Sequence, residues 1–235
     1  MPPVPTRGTA PHAFVADVDR PVLGEDDHHH LGRALRLRPG DPLTVSDGLG
    51  RWRPVCFGDD LEPTGAVNLD EAVRPEITVA LTPVKGARPE WAVQKLTELG
   101  IDRIWLLVAA RSVVRWEGDR AAGHVARLEK VARQAAMQSR RTRLPELRTG
   151  VLVADALEAG GAAAAVAAPG GIAPSLERPM LLIGPEGGWS ASELVAAPAT
   201  VGLGPTVLRA ETAAVAAGTL LVALRSGLLA PYPCS

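Results

Sequence analysis

The sequence predicts an α/β protein in which a small β-rich module precedes a larger domain built on a mainly parallel sheet. Two observations carry this prediction. Short apolar runs separated by turn residues fill roughly the first 70 positions, whereas apolar strands alternate with amphipathic helices after residue 76. The chain has 235 residues, enough for two modest domains. We place these domains at residues 1–72 and 76–235, with Asp70–Glu76 as the linker.

The β-rich module is predicted from its turn chemistry. Leu43–Ser46 and Arg51–Phe57 flank the turn Asp47–Gly50, which is the pattern of a β-hairpin. His30–Leu35 predicts one brief helical turn, and Pro39–Asp41 ends it. These short elements favour a small β-rich or barrel module.

The second domain is predicted from alternating strand and helix patterns. Its expected strands are Ile77–Thr82, Ile104–Ala109, an alanine-rich run after residue 159, Met180–Ile183 and Val201–Leu203. Its expected helices are one that begins near Pro89 and stops at Gly100, Asp119 to about Arg140, Ala154–Ala159, one capped by Ser190 and Glu193, and Glu211 to Arg225. Met180–Ile183 is continuously apolar and therefore predicts a strand buried on both faces.

Charge limits the possible partners. The formal net charge is −1, so the whole molecule is not a polycation that attracts nucleic acid. Two local patches are basic: Arg120–Arg148 and Arg33–Arg53. Each patch is either ordinary solvated charge or a surface that binds phosphate groups.

The cysteines and the apolar segments indicate the cellular compartment of the protein. Cys56 and Cys234 provide neither a disulfide framework nor zinc-ligand spacing. The amino terminus has no apolar core of a secretion signal, and Ala213–Leu224 is shorter than the roughly 20 residues that a membrane span needs. We therefore expect a cytoplasmic protein without a membrane partner.

Three consecutive histidines, His28, His29 and His30, suggest a metal site at first sight. Adjacent side chains point apart, so they do not converge on one ion without distant partners. We interpret them as a solvated or capping cluster and expect no metal.

Two glycine-bearing loops are either tight turns or parts of a ligand site, and a single glycine-rich loop is weak evidence for a site. Gly184–Gly188 follows one predicted strand, and Gly204 follows another. Neither loop has the Lys-Ser/Thr of a P-loop or an early dinucleotide fingerprint. Because parallel strands end at one sheet edge, the two loops are expected to line one pocket there.

The segment Arg209-Ala210-Glu211-Thr212 begins the last predicted helix. In a structural interpretation Glu211 complements the helix dipole and Arg209 is a surface residue. In a functional interpretation both face the pocket. Spacing alone favours the structural interpretation.

Several ordered motifs together resemble one family. They are His29-His30-Leu31, Leu35–Asp41, Lys85-Gly86, Glu90-Trp91, Gln94-Lys95, Thr97–Gly100, Arg111–Val114, Gln138-Ser139-Arg140, Ile183–Gly188, Leu203-Gly204, Leu208-Arg209 and Glu211-Thr212-Ala213. In this order they are similar to the RsmE family of 16S ribosomal RNA uridine-N3 methyltransferases. The similarity extends from about residue 28 to about residue 224.

The resemblance implies a fold and a set of site residues. It implies a PUA-like RNA-binding barrel at residues 1–72 and a SPOUT α/β domain at 76–235, whose carboxyl part threads a trefoil knot. Implied cofactor-binding residues are Ile183, Gly184, Glu186, Gly188, Leu203, Gly204 and Leu208. Implied RNA-binding residues are Arg36, Arg38, Arg88, Arg111 and Arg140. Arg209 and Glu211 are the expected catalytic pair, with Glu211 either accepting a proton or orienting Arg209.

The leading functional hypothesis follows from that resemblance. It is S-adenosyl-L-methionine-dependent methylation of N3 of a uridine in 16S ribosomal RNA of the small subunit. The alternatives are a non-catalytic RNA-binding assembly factor, which would bind no cofactor, and a nucleotide-dependent oxidoreductase, which the missing fingerprint disfavours. The resemblance and the alanine-rich last helix also favour a homodimer.

Overall fold

A computed structural model describes residues 10–84, 86, 88–114, 116 and 119–230. The described chain divides into two compact units. The first contains its described residues up to Ala72 together with Arg133–Leu144, and the second contains Val73–Ala132 and the chain from Pro145 onward. The segment Arg133–Leu144, which the sequence-based division assigns to the second domain, therefore packs with the first unit.

The first unit is a five-stranded sheet with a short helix. Its elements are β1 (His12–Phe14), α1 (Glu25–His29), β2 (Pro42–Ser46), β3 (Arg51–Cys56), β4 (Glu62–Pro63) and β5 (Asn68–Leu69). The predicted hairpin is confirmed, because β2 pairs antiparallel with β3. The helical turn predicted at His30–Leu35 is a π-helical turn, His30–Ala34, that continues α1.

A buried histidine joins two strands of the first unit. The Nδ1 atom of His12 lies 2.8 Å from the Thr44 hydroxyl, and its Nε2 atom lies 2.9 Å from the Ser46 hydroxyl. Burial lowers the pKa of His12 to about 4. The ring is therefore neutral at pH 7 and serves as a hydrogen-bonding link between β1 and β2.

The second unit is built on a six-stranded sheet in which every strand pair is parallel. Its strands are β6 (Thr78–Leu81), β7 (Arg103–Val108), β8 (Glu146–Leu152), β9 (Ala164–Ile172), β10 (Met180–Ile183) and β11 (Thr200–Val201). Its helices are α2 (Arg88–Leu99), α3 (Asp119–Gln138, whose end lies in the first unit), α4 (Val153–Gly160), α5 (Ala191–Ala196) and α6 (Ala210–Arg225). The order across the sheet is β11-β9-β10-β6-β7-β8.

The sheet core confirms the prediction for Met180–Ile183. All four residues of β10 are buried, with β6 on one side and β9 on the other. Helix α6 packs against α2, β6 and β10, and its alanines and Gly218 allow this close approach. In the described part of the chain, no helix is both long enough and apolar enough to cross a membrane.

Two strands of the second unit differ from the sequence-based expectation. The sequence does not predict strand β8, because this strand pairs only with β7 at the sheet edge and lacks an apolar run. Strand β11 is shorter than the predicted Val201–Leu203. At Gly202 a Cβ atom would lie 2.9 Å from the Gly171 carbonyl oxygen, so backbone packing at that point is close.

Candidate active site

The two glycine-bearing loops lie at one edge of the parallel sheet. Gly184–Gly188, here the glycine loop, follows β10, and residues 202–209, here the second loop, follow β11. Since β10 and β11 belong to one all-parallel sheet, both loops start at its carboxyl edge, where open α/β sheets bind ligands. Ile183 is the buried last residue of β10.

The glycine loop is a tight turn held by its own packing. The N–H of Gly188 donates to the Pro185 carbonyl at 2.8 Å, and Gly188 has φ +70°. At Gly184 a Cβ atom would meet the Trp189 ring at 2.8 Å. The indole N–H of Trp189 in turn donates to the Ala167 carbonyl at 2.9 Å. Glycine at 184 thus lets the loop pass over a fixed indole ring.

Open space adjoins the loops at two glycines. A Cβ built at Gly188 or at Gly204 would meet no heavy atom within 4 Å. Gly204 has φ +137°, a conformation that favours glycine. Backbone exposed at such positions permits close approach of a ligand.

The turn after β7 is joined to the glycine loop by one polar contact and to helix α5 by another. Arg111 donates from Nη1 to the Gly187 carbonyl at 3.0 Å, and the Ala110 N–H donates to Glu193 Oε1 at 2.8 Å. Glu193 also accepts from the Ser190 N–H and completes the predicted capping box of α5. Burial would raise the pKa of Glu193, but the hydrogen bonds from Ala110 and Ser190 outweigh it and lower that pKa. Sequence reasoning identified Glu193 as a cap but not its bond to Ala110.

The second loop leads into the first turn of α6. Leu203 and Leu208 are half-buried and pack against the core of the second unit. Arg209 is the exposed residue that precedes α6, and Glu211 is buried in its first turn. Arg209 is the last residue of the second loop and Glu211 is the second residue of α6, and their catalytic role stays a prediction.

Glu211 faces Arg88 rather than Arg209. Arg88 Nη1 lies 3.6 Å from Glu211 Oε1 and donates to Glu186 Oε1 in the glycine loop at 3.1 Å. Among the described residues, no ion pair joins Glu211 to Arg209, and Glu211 Oε2 has no hydrogen-bond partner. One oxygen of a buried carboxylate is therefore left without a donor, which is costly unless a ligand supplies one.

A second unpaired polar atom lies at the same edge. Thr82 follows β6, and its N–H donates to the Ile183 carbonyl at 3.1 Å. Its hydroxyl oxygen is enclosed and has no hydrogen-bond partner among the described residues. Sequence reasoning treated Thr82 only as the end of a strand, because nothing local distinguishes it.

The five expected RNA-binding arginines fall into two groups. Arg36, Arg38 and Arg140 belong to the first unit, whereas Arg88 and Arg111 contact the glycine loop in the second. Arg36 has φ +59° and Arg140 has φ +56°, left-handed conformations that are uncommon for residues other than glycine. Backbone held in such conformations often occurs at functional sites.

The first histidine of the cluster forms ordinary contacts within the first unit. His28 stacks on Phe57 with ring centroids 5.0 Å apart, and its Nε2 atom lies 3.2 Å from the Gly58 carbonyl oxygen. In the described part of the chain, no three His, Cys, Asp or Glu side chains are grouped as metal ligands would be.

Comparison with known sequences identifies similar proteins over most of the chain. Residues 71–222 match the model of a family described as RNA methyltransferase domain. A Mycobacterium tuberculosis protein named ribosomal RNA small subunit methyltransferase E is 36% identical over 228 residues, covering 83% of each chain. A Bacillus subtilis protein of the same name is 31% identical and covers 82% of this chain and 85% of its own.

Solved structures of similar fold are also ribosomal RNA methyltransferases by name. The ribosomal RNA small subunit methyltransferase E of Neisseria gonorrhoeae, bound to S-adenosyl methionine, matches with a TM-score of 0.76 and 26% identity over 92% of this chain and 98% of its own. A probable rRNA-methyltransferase from Porphyromonas gingivalis matches with a TM-score of 0.75 and 27% identity over 93% of this chain and all of its own.

Proposed function

The chain belongs to the ribosomal RNA small subunit methyltransferase E family, and we propose that it transfers a methyl group from S-adenosylmethionine to N3 of a uridine in 16S ribosomal RNA. Membership alone gives an S-adenosylmethionine-dependent methyltransferase that acts on small-subunit ribosomal RNA. The uridine and its N3 atom are the finer part of the proposal. One observation supports that part: a buried carboxylate with an unpaired oxygen at the edge that carries both glycine-bearing loops.

The chemistry requires a proton acceptor near the loops. The N3–H of uracil must lose its proton before the N3 lone pair can form a bond to carbon. Glu211 Oε2 is an enclosed carboxylate oxygen without a donor, and we assign it as the acceptor of this proton. The negative charge then spreads to O2 and O4 of the base, and we assign Arg209 to stabilise it.

The residues of the two loops fit the proposed cofactor. S-adenosylmethionine supplies an electrophilic methyl group and leaves as S-adenosylhomocysteine when its carbon–sulfur bond breaks. Open space at Gly188 and Gly204 leaves room beside the backbone, and the half-buried Leu203 and Leu208 offer apolar contact. We assign the cofactor to Ile183, Gly184, Glu186, Gly188, Leu203, Gly204 and Leu208.

RNA binding is assigned to exposed arginines. Arg36 and Arg38 are exposed in the first unit, and Arg111 is exposed beside the glycine loop. Arg140 belongs to this set through its place in the first unit. The guanidinium of Arg88 faces two carboxylates, which compete with RNA phosphate for it.

The finer architecture remains part of the proposal. We assign a PUA-like barrel to residues 1–72 and a SPOUT domain with a trefoil knot to residues 76–235, on the resemblance of the ordered motifs.

A homodimer is supported by helix α6, where Val215, Ala216 and Val222 are only half-buried. Sedimentation equilibrium at micromolar concentration should return twice the chain mass, and a monomer mass would remove the dimer. The cytoplasm is the corresponding compartment.

The decisive experiment is mass spectrometry of ribosomal RNA nucleosides. Undermodified small subunits incubated with the protein and S-adenosylmethionine should gain N3-methyluridine. A methylated nucleoside other than N3-methyluridine would preserve the methyltransferase but exclude the N3 assignment. No methylation and no cofactor binding would favour the non-catalytic assembly factor.

A further inference from the structure

We propose that Arg88, rather than Arg209, is the positioning residue for Glu211, and that it couples Glu211 to the glycine loop through Glu186. This inference rests on the proposed function, because it assigns a role within the same site. A single nitrogen of Arg88, Nη1, lies 3.1 Å from Glu186 Oε1 and 3.6 Å from Glu211 Oε1. The guanidinium of Arg88 therefore bridges the glycine loop and the first turn of helix α6.

The two carboxylates differ in their surroundings. The Glu186 side chain is 59% exposed, whereas the Glu211 side chain is 11% exposed. An ion pair with an exposed carboxylate has little energetic value, but a nearby cation matters greatly to a buried one. Arg88 therefore has its main electrostatic effect on Glu211. The same nitrogen, Nη1, also donates to Glu186.

The geometry fixes which oxygen of Glu211 is free. Arg88 faces Oε1, and Oε2 is the oxygen without a partner. A carboxylate held at one oxygen presents the other in a defined direction. Arg88 therefore orients Oε2 as the acceptor of the uracil N3 proton without itself touching the substrate.

The coupling also gives the cofactor loop influence over the base. Glu186 belongs to the glycine loop, which is assigned to the cofactor. Because the Arg88–Glu186 pair is exposed, its energetic influence is small, and we expect it to adjust the position of Arg88 rather than to determine it.

A matched control exists at the opposite edge of the sheet. Arg103 pairs with Glu76 and with Glu146, and its side chain is 40% exposed, compared with 42% for Arg88. Arg103 begins β7, far from both loops along that strand. Arg88→Lys and Arg103→Lys therefore make the same chemical change at two similar ion pairs.

The test compares methyl-transfer kinetics in these variants. Arg88→Ala should lower kcat by about 10²-fold, and Arg88→Lys by about tenfold because it keeps charge but loses the guanidinium fork. KM for the RNA and Kd for S-adenosylmethionine should stay within about twofold. Arg103→Lys should leave kcat unchanged, and thermal unfolding should show that all variants are folded.

A double-variant cycle separates positioning from an independent role. If Arg88 acts through Glu211, Arg88→Lys should cause no further loss in a Glu211→Gln background. Single-turnover measurements at raised pH, where uracil ionises without a base, keep the rate of that background measurable. Additive losses would overturn the proposal.

The competing role for Arg88 is a phosphate contact. In that case Arg88→Lys would leave the salt dependence of RNA binding nearly intact, whereas Arg88→Ala would raise KM and reduce the slope of log K against log[salt] by about one unit with kcat unchanged. That result would overturn the positioning role and leave the proposed methylation intact. Absence of methyl transfer by the unmodified protein would instead reject the proposed function itself.

Discussion

The two ends of helix α6 carry buried charges that are treated in opposite ways. At its last turn Arg225 is 9% exposed and donates to Asp102, to the Gly100 carbonyl at 2.9 Å and to the Pro75 carbonyl at 3.1 Å. At its first turn Glu211 is similarly buried, but one oxygen is 3.6 Å from Arg88 and the other has no partner among the described residues.

The difference follows the two edges of the sheet. Arg225 contacts residues that lie just before β6 and β7, at the amino edge, where Asp102 also accepts from the Ile77 N–H at 2.8 Å. Glu211 lies at the carboxyl edge, beside the loops. A satisfied buried pair maintains the fold, whereas an unsatisfied buried carboxylate destabilises it. We call the end at Arg225 the closed end, because its charge is fully paired, and the end at Glu211 the open end, because one carboxylate oxygen there has no partner.

The largest expected effect is at the closed end. Arg225→Met removes the cation and leaves Asp102 with only the Ile77 N–H as a partner, so the free energy of unfolding should fall by about 3–5 kcal/mol. Equilibrium urea unfolding measures this loss, while the Kd of S-adenosylmethionine for the folded protein should change by less than about twofold. A stability unchanged by the substitution would show that this end is not closed for stability.

The next effect is at the open end and concerns rate. Glu211→Gln should lower methyl transfer by about 10²-fold at neutral pH, because the amide cannot accept the N3 proton. The free energy of unfolding should stay equal or rise, since a buried carboxylate with one unpaired oxygen becomes neutral.

The pH dependence of that variant separates two roles. If Glu211 is the base, single-turnover rates of Glu211→Gln should approach those of the unmodified protein as pH rises and uracil ionises unaided. A deficit that is the same at every pH would instead assign Glu211 to orienting another group. An undiminished rate at neutral pH would make the first turn of α6 purely structural.

Local sequence signals predicted much of this architecture. The continuous apolar run of β10 and the Ser190–Glu193 capping box depend on neighbouring residues, and both are confirmed. Pro89 and Gly100 likewise predicted where helix α2 begins and ends, within one residue. Signals of this kind need no knowledge of distant parts of the chain.

The features that were missed depend on distant contacts. Arg88 and Glu211 are far apart in sequence, and nothing near either residue indicates their pairing. Strand β8 gains its pairing from β7 alone, and Arg133–Leu144 packs with a unit that the linear order does not suggest. Long-range pairing of this kind arises from the fold and leaves no local pattern.

A smaller effect is expected at the glycine loop. Gly188→Ala places a methyl group in the open space beside the loop, and we expect the Kd of S-adenosylmethionine to rise about tenfold, which is about 1.4 kcal/mol. Gly150→Ala is the matched control, because Gly150 also has φ +70° and no atom within 4 Å of its Cβ position. Gly150 lies in β8, three strands from β10.

The two variants separate strain from ligand contact. Both should lose a similar stability, about 1–2 kcal/mol, because alanine is strained at this φ. Titration calorimetry should show weaker cofactor binding only in Gly188→Ala. Equal cofactor affinity in both variants would show that S-adenosylmethionine does not contact Gly188. That result would contradict a ligand site at the carboxyl edge of the sheet.

The smallest expected effect extends the contrast between paired and unpaired charge to the surface of the first unit. Arg36 is exposed and, among the described residues, forms no ion pair, whereas Arg51 pairs with Asp19 at 2.8 Å. Asparagine tolerates the left-handed backbone of Arg36, so Arg36→Asn removes the charge without new strain.

If Arg36 contacts a phosphate, the slope of log K against log[salt] for RNA binding should flatten by about one unit in Arg36→Asn. The control variant Arg51→Asn should change this slope less. Cofactor affinity should be unaffected in both, because neither residue belongs to the second unit. Equal slopes in the unmodified protein and in Arg36→Asn would show that an unpaired charge in this unit is ordinary solvated surface rather than an RNA contact.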